Sequence, residues 1–239
     1  MEHFCEHPSS IIRGPLQGCF AEYVLIKSKQ VYKIPETMSL KKAALLEPTS
    51  IAVHAIDKAE VRTGEVVVII GGGPIGLLIA NMARIAGAAT IIISEPSSVR
   101  RDYANKFGFN VVVDPTKEDL LQTVLKYSNG KGADVCIEAV GIPSLIEICP
   151  SLVRYGGRVL LVGWPPRESS VKINPFLIYR YEIQIRGSQL APYSFGRALR
   201  MLNSLDIDSI ITHEFSLSEA AKAFYTQKQR VGLKILIKP

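Results

Sequence analysis

Three consecutive glycines followed by Pro, Ile and a fourth Gly, Gly71-Gly72-Gly73-Pro74-Ile75-Gly76, are the residues here best suited to chemistry on a phosphate. They follow a β-branched run, Val66–Ile70, and open a stretch of helically spaced apolar residues. That setting gives a G-x-G-x-x-G spacing its meaning. Gly71 allows a tight turn. Gly73 lacks the Cβ that would keep a pyrophosphate off the backbone. Gly76 lets helix pack close on strand, and the first helical N–H groups supply donors and a partial positive charge. Pro74 and Ile75 complete the turn.

Glu95 stands nineteen residues past Gly76, at the end of a second apolar run, Thr90–Ser94. A carboxylate there accepts both hydroxyls of an adenosine ribose and repels a 2′-phosphate, which favours NAD over NADP. Arg100 lies just downstream, where it either meets a phosphate or sits as a surface charge on the next helix.

Elements that position these residues alternate along the chain. Strands are expected at 66–70, 90–94, 111–113, 134–139, 158–163 and 183–187, and helices at 74–86, 97–107, 117–127 and 144–154. Six continuous apolar strands with helical crossovers predict a parallel sheet covered on both faces, a doubly wound α/β fold. The flanks differ. GCFAEYVLI (18–26) and QVYKI (30–34) read as short strands. A helix is expected near 195–204, a second behind a capping box at Ser216-Leu217-Ser218-Glu219, and a last strand at LKILI.

Composition bounds the alternatives. The chain has 239 residues, 47% of them hydrophobic and 21% charged, with a net charge of +6. Lys and Arg are dispersed without interleaved aromatics, which argues against a nucleic-acid surface. No apolar run is long enough to span a bilayer, so no membrane partner is expected. Cys5, Cys19, Cys136 and Cys149 show no C-x-x-C spacing, and a reducing, cytoplasmic setting is expected.

At this point the sequence resembles the medium-chain, zinc-type alcohol dehydrogenases, and within them the sorbitol and threonine dehydrogenase branch. The matching blocks are GCFAEY (18–23), KIP (33–35), EPTSIAVHA (47–55), GGGPIG, EAVG (138–141), GGRVLLVG (156–163), IRGS (185–188) and the closing VGLKILIKP. The resemblance implies an α/β fold: a Rossmann doubly wound parallel sheet flanked by the remainder of a partly β, GroES-like catalytic domain. Boundaries would fall at 1–47, 48–182 and 183–239. It implies oxidation of a secondary alcohol or polyol to a ketone, with hydride passing to NAD and a zinc ion stabilising the alkoxide. Gly141 and Gly163 would lie beside the nicotinamide, with Val162 and Ser188 in the same blocks also placed at the cofactor. Arg180 matches a position that contacts polyol hydroxyls or water, or else is a surface Arg. A homo-oligomer is implied, with the region near 183–189 as a dimer edge.

Departures from that pattern concern the metal. Glu47 matches a glutamate near the family's catalytic zinc, or caps the helix expected over 50–58. Cys5 matches one thiolate of a structural zinc site, but the matching Cys and His partners are absent, and one thiolate cannot hold a tetrahedral zinc. His54 and His213 read as a packed helix residue and a strand-end residue. Three functions stay open: an NAD-dependent dehydrogenase present as a fragment, a non-catalytic dinucleotide-binding module, and a zinc-free quinone reductase.

Overall fold

The structure, a computed structural model, describes Phe4 and residues 18–109, 111–203 and 205–239. Two compact units emerge: Pro48–Ala191, and the residues up to Glu47 taken with Pro192–Pro239.

The first unit is built on a six-stranded sheet. The short α1 (Leu40–Ala43) belongs to the other unit; the elements then run α2 (Leu46–Ala59), β1 (Val66–Ile70), α3 (Pro74–Ile85), β2 (Thr90–Ser94), α4 (Ser98–Lys106), β3 (Val111–Val113), α5 (Leu120–Tyr127), β4 (Ala133–Glu138), α6 (Pro143–Leu152), β5 (Val153–Leu161), α7 (Pro175–Tyr181) and β6 (Gln184–Gly187). The strands run in the order β3-β2-β1-β4-β5-β6, every pair parallel. Strand order therefore reverses between β1 and β4, the crevice where doubly wound sheets hold ligands.

The sheet forms because its strands can be buried on both faces. Val67, Val68, Ile69, Ile92, Ile93, Val135, Cys136 and Ile137 are all fully buried. Each such aliphatic side chain contributes about 1.5–3 kcal/mol of transfer free energy. Local signals set the helix ends. Pro opens α3, α6 and α7, where its missing N–H costs nothing. Asp119 and Asn174 side chains cap α5 and α7 by accepting from Gln122 and Phe176 N–H. Beneath β5 a buried ion pair joins Arg158 to Glu65, and the same guanidinium donates to the Glu60 carbonyl at 2.6 Å.

Several boundaries differ from the sequence expectation. The helix of 144–154 stops at Leu152, and β5 starts at Val153. Val153 pairs with Ala133 across a register irregularity, so the ladder begins before the apolar run does. The helix of 117–127 starts only at Leu120, because Asp114 holds a tight turn, accepting from Lys117 and Glu118 N–H. No strand forms in the described part of 18–34. That stretch has only a 3-10 turn at Ser28–Gln30, and Tyr23 and Leu25 are 91% and 82% exposed. Apolar alternation does not make a strand without a neighbour to accept its hydrogen bonds.

In the second unit, α8 (Phe195–Leu202), β7 (Ile211–Ser216), α9 (Ala220–Gln229) and β8 (Lys234–Lys238) follow, with β7 and β8 parallel. The capping box forms as expected: Glu219 Oε2 accepts from Ser216 N–H at 3.4 Å and the Ser216 side chain meets the N3 backbone. His213 is inside β7, not at its end, with its ring stacked on Phe215. Glu214 joins Lys238 (2.5 Å) and Lys41 (2.6 Å).

Those two ammonium groups, Lys238 first, pull the Glu214 carboxyl from 4.5 down to about 2. A depressed folded-state pKa contributes stability above the unfolded value and loses it as pH falls. Thermal melts between pH 6 and pH 2 should therefore show Glu214→Gln less stable than wild type at pH 6. The gap should shrink as pH drops from about 4.5 to about 2. A gap independent of pH would refute the assignment.

Candidate functional site

The glycine turn joins β1 to α3 at the strand-order reversal. Gly71 has φ +107°, a conformation open to Gly at little cost. A Cβ there would lie 2.8 Å from Val140 Cγ2. A Cβ on Gly76 would fall 1.9 Å from the Gly71 carbonyl oxygen, which no adjustment of a side chain could relieve. Gly73 differs: its φ is ordinary, and a Cβ would meet nothing nearer than Arg100 Nη1 at 3.6 Å. The space over Gly73 is open on the side where α3 presents its first N–H groups. Pro74 and Ile75, half-buried, begin that helix.

Glu95 is 4% exposed, so it is not a solvated charge. Its Oε2 accepts from Gly72 N–H at 2.8 Å and its Oε1 from Ser97 N–H at 2.9 Å. Each oxygen keeps acceptor capacity for a further donor. The turn and the carboxylate are therefore one hydrogen-bonded unit. Arg100 extends from α4 toward both, with Nη1 3.8 Å from Glu95 Oε2 and a buried Nε that has no partner. Arg101 does the structural work beside it, donating to the Glu95 and Pro96 carbonyls and pairing with Asp114 at 2.9 Å.

Across β1, Gly141 and Gly163 come together. Gly141 has φ +86°, and a Cβ there would lie 2.6–2.7 Å from the Trp164 backbone. A Cβ on Gly163 would lie 2.1 Å from Gly141 N. Val162 N–H donates to the Glu138 carbonyl at 2.8 Å, and Ser188 N–H to the Leu161 carbonyl at 2.9 Å. Ser188 follows β6 and its hydroxyl is buried without a partner. Trp164, 70% exposed, follows Gly163, and its backbone lies against Gly141.

Arg180 is an exposed residue in the last turn of α7. Glu47 lies in the first turn of α2, which begins at Leu46 and not at Ser50, so Glu47 is part of the helix instead of a cap before it. Loss of solvation raises its carboxyl pKa, against an opposing pull from Lys234. Cys5 lies outside the described residues. Among the described residues no group of three or more His, Cys, Asp or Glu side chains is placed to hold a metal ion.

Sequence reasoning missed three residues. Gly72 falls at an x of the G-x-G-x-x-G spacing, yet a Cβ there would lie 2.9 Å from Glu95 Cβ. The run of three glycines was the available signal. Glu138 stands in the EAVG block, but its role and that of Trp164 depend on the meeting of two turns far apart in the chain, which neither block states.

Comparison with known proteins agrees with this geometry. The family model described as zinc-binding dehydrogenase matches residues 74–204, more than half of the chain. A sorbitol dehydrogenase from Bacillus subtilis is 28% identical over 99% of this chain and 68% of its own length. An L-threonine 3-dehydrogenase from Pyrococcus furiosus is 35% identical over 89% of this chain and 62% of its own. A protein assigned as a zinc-binding dehydrogenase from Sinorhizobium meliloti 1021, crystallised with NADP, superposes with a TM-score of 0.89 at 33% identity, covering 94% of this chain and 67% of that one. The chain thus spans about two thirds of the length of each of these proteins.

The glycines should separate by substitution. Gly76→Ala should lower the unfolding free energy by about 1–3 kcal/mol, and the denaturant midpoint with it, since its Cβ overlaps backbone. Gly73→Val should leave the midpoint close to wild type. Equal destabilisation of the two variants in urea unfolding would contradict the packing described.

Proposed function

The chain belongs to the zinc-binding dehydrogenase family, and from that premise we propose that it binds NAD across the C-terminal edge of its six-stranded sheet, as the nucleotide-binding part of a dehydrogenase acting on a secondary alcohol or polyol. One observation carries the reading: the buried Glu95 carboxylate is hydrogen-bonded to the backbone of the very turn that presents the α3 N-terminus. A ribose and a pyrophosphate are adjacent in a dinucleotide, and here their two receptors are adjacent and mutually fixed.

Each group has a role in this proposal. The first N–H groups of α3 and the open face of Gly73 receive the pyrophosphate. Glu95 accepts the adenosine ribose hydroxyls, and Arg100, with its unpartnered Nε, balances phosphate charge. Gly141, Val162, Gly163 and Ser188 border the nicotinamide end. The bound dinucleotide supplies the hydride acceptor. The protein's own residues bind it, orient it and keep its reactive end on a fixed surface. Resemblance to sorbitol and threonine dehydrogenases supports that branch of the family and a small polar alcohol as substrate. Arg180 and Glu47 are the residues of this chain proposed to face it. Residues 1–47 and 183–239 are read as parts of a GroES-like catalytic domain, and the open edge of β6 as a surface for a second copy.

Zinc enters differently. The described donor set around Glu47 does not fit a catalytic zinc, which takes about three protein ligands. This favours, as the second reading, a module that binds NAD without turnover.

Titration with NAD should quench the fluorescence of Trp164, the chain's one tryptophan. Glu95→Ala should weaken binding by about tenfold to a hundredfold, the effect of losing a charged acceptor worth about 1.5–3 kcal/mol. NADP should bind more weakly than NAD, because its phosphate would meet the Glu95 carboxylate. Equal affinity for the two dinucleotides would overturn the role given to Glu95, a pointed outcome given the NADP bound to the Sinorhizobium protein.

Elemental analysis should find zinc well below one ion per chain, and polyols or threonine should give no NAD reduction. One zinc per chain with turnover that a chelator abolishes would show that donors outside the described residues complete a working site.

A further inference from the structure

Four buried side-chain atoms among the described residues lack a hydrogen-bond partner: Thr49 Oγ1, Arg100 Nε, Glu138 Oε2 and Ser188 Oγ. Glu138 is the costliest of these. It is a carboxylate with no exposed surface, preceded in β4 by the buried Cys136 and Ile137. Placing an ionisable group there is unfavourable unless it is hydrogen-bonded to something that matters.

Its hydrogen bonds reach two turns. Glu138 Oε1 accepts from Val140 N–H and from Gly141 N–H, both at 2.8 Å. Its backbone carbonyl accepts from Val162 N–H at 2.8 Å and Gly163 N–H at 3.0 Å. One residue therefore ties the turn after β4 to the turn after β5. The two turns touch so closely that a Cβ on Gly163 would lie 2.1 Å from Gly141 N and 2.6 Å from Glu138 Oε2.

This double tie lies on a defined side of the ligand. Glu95 closes β2, on one side of β1, and so assigns the adenosine half to that side. The other half must pass over β4 and β5, about 5 and 10 Å beyond β1 at ordinary strand spacing. Resting on the dinucleotide reading above, we propose that Glu138 is the positioning residue for the nicotinamide half, fixing the paired turns against which the ring lies without itself touching the ligand.

The test uses two ligands that share the adenosine and pyrophosphate half, NAD and ADP-ribose, the second lacking the nicotinamide. Calorimetric titration of the full chain compares wild type with Glu138→Ala and Glu138→Gln. Glu138→Ala frees both turn N–H groups and should weaken NAD by about tenfold or more, with ADP-ribose within about twofold of wild type. Glu138→Gln retains an acceptor at Oε1 and should restore part of the NAD affinity, with ADP-ribose again unchanged. Retained ADP-ribose binding also certifies that each variant is folded. Unchanged NAD affinity in Glu138→Ala, or an equal loss of both ligands in Glu138→Gln, would overturn the assignment while leaving the dinucleotide site standing. A wild-type chain that binds neither ligand would overturn the dinucleotide reading and this assignment with it.

Discussion

Gly76 lies so close under the Gly71 carbonyl that a Cβ would fall 1.9 Å from its oxygen, far inside any van der Waals contact. Much of the sheet edge follows from that approach. It seats the first turn of α3 directly on the end of β1, so the helix dipole ends at the strand-order reversal and not a turn away from it. It forces Gly71 into a left-handed conformation, and it brings Gly72 to where its N–H reaches Glu95. A longer or looser connection would leave the same residues present but their donors pointing elsewhere.

The edge on either side of β1 is then built by one device used twice. Glu95 follows β2 and Glu138 ends β4, and both are buried carboxylates held by backbone N–H groups: Glu95 by one from the turn after β1 and one from its own loop, Glu138 by two from the turn directly after it. Charge-assisted bonds of this kind are stronger than neutral ones and offset the loss of hydration. Burial raises the Glu138 carboxyl pKa, and the N–H donors of Gly141 and Val140 oppose that rise. Rigid turns follow: loops that would otherwise be soft are held by N–H groups whose departure would leave a buried carboxylate unpaired.

The sheet was legible because burial on both faces writes itself as uninterrupted apolar runs, and Val66–Ile70 or Thr90–Ser94 have no other economical fate. The phosphate turn was legible for a similar reason, since its glycines are local and contiguous. What escaped were features decided by distant partners. Val153 becomes a strand residue because Ala133 is beside it, not because of its own neighbours. The alternation of 18–34 promised strands, but alternation states only which face is apolar, and pairing is a separate condition. Glu138 enters the sequence reading only as part of an expected strand and of the EAVG block. Its importance appears only when Gly141 and Gly163 meet.

The buried pair of Arg158 and Glu65 carries an implication for how such a chain drifts over generations. Arg158 is 6% exposed and also holds the Glu60 carbonyl. Losing either partner alone strands the other's charge in the interior, at a cost of about 3–5 kcal/mol, whereas exchanging both for apolar residues of like volume is often neutral. Single replacements are thus closed routes while the double replacement is open. Sequences descended from this one should carry both charges or neither, and the two positions should change together as one inherited character.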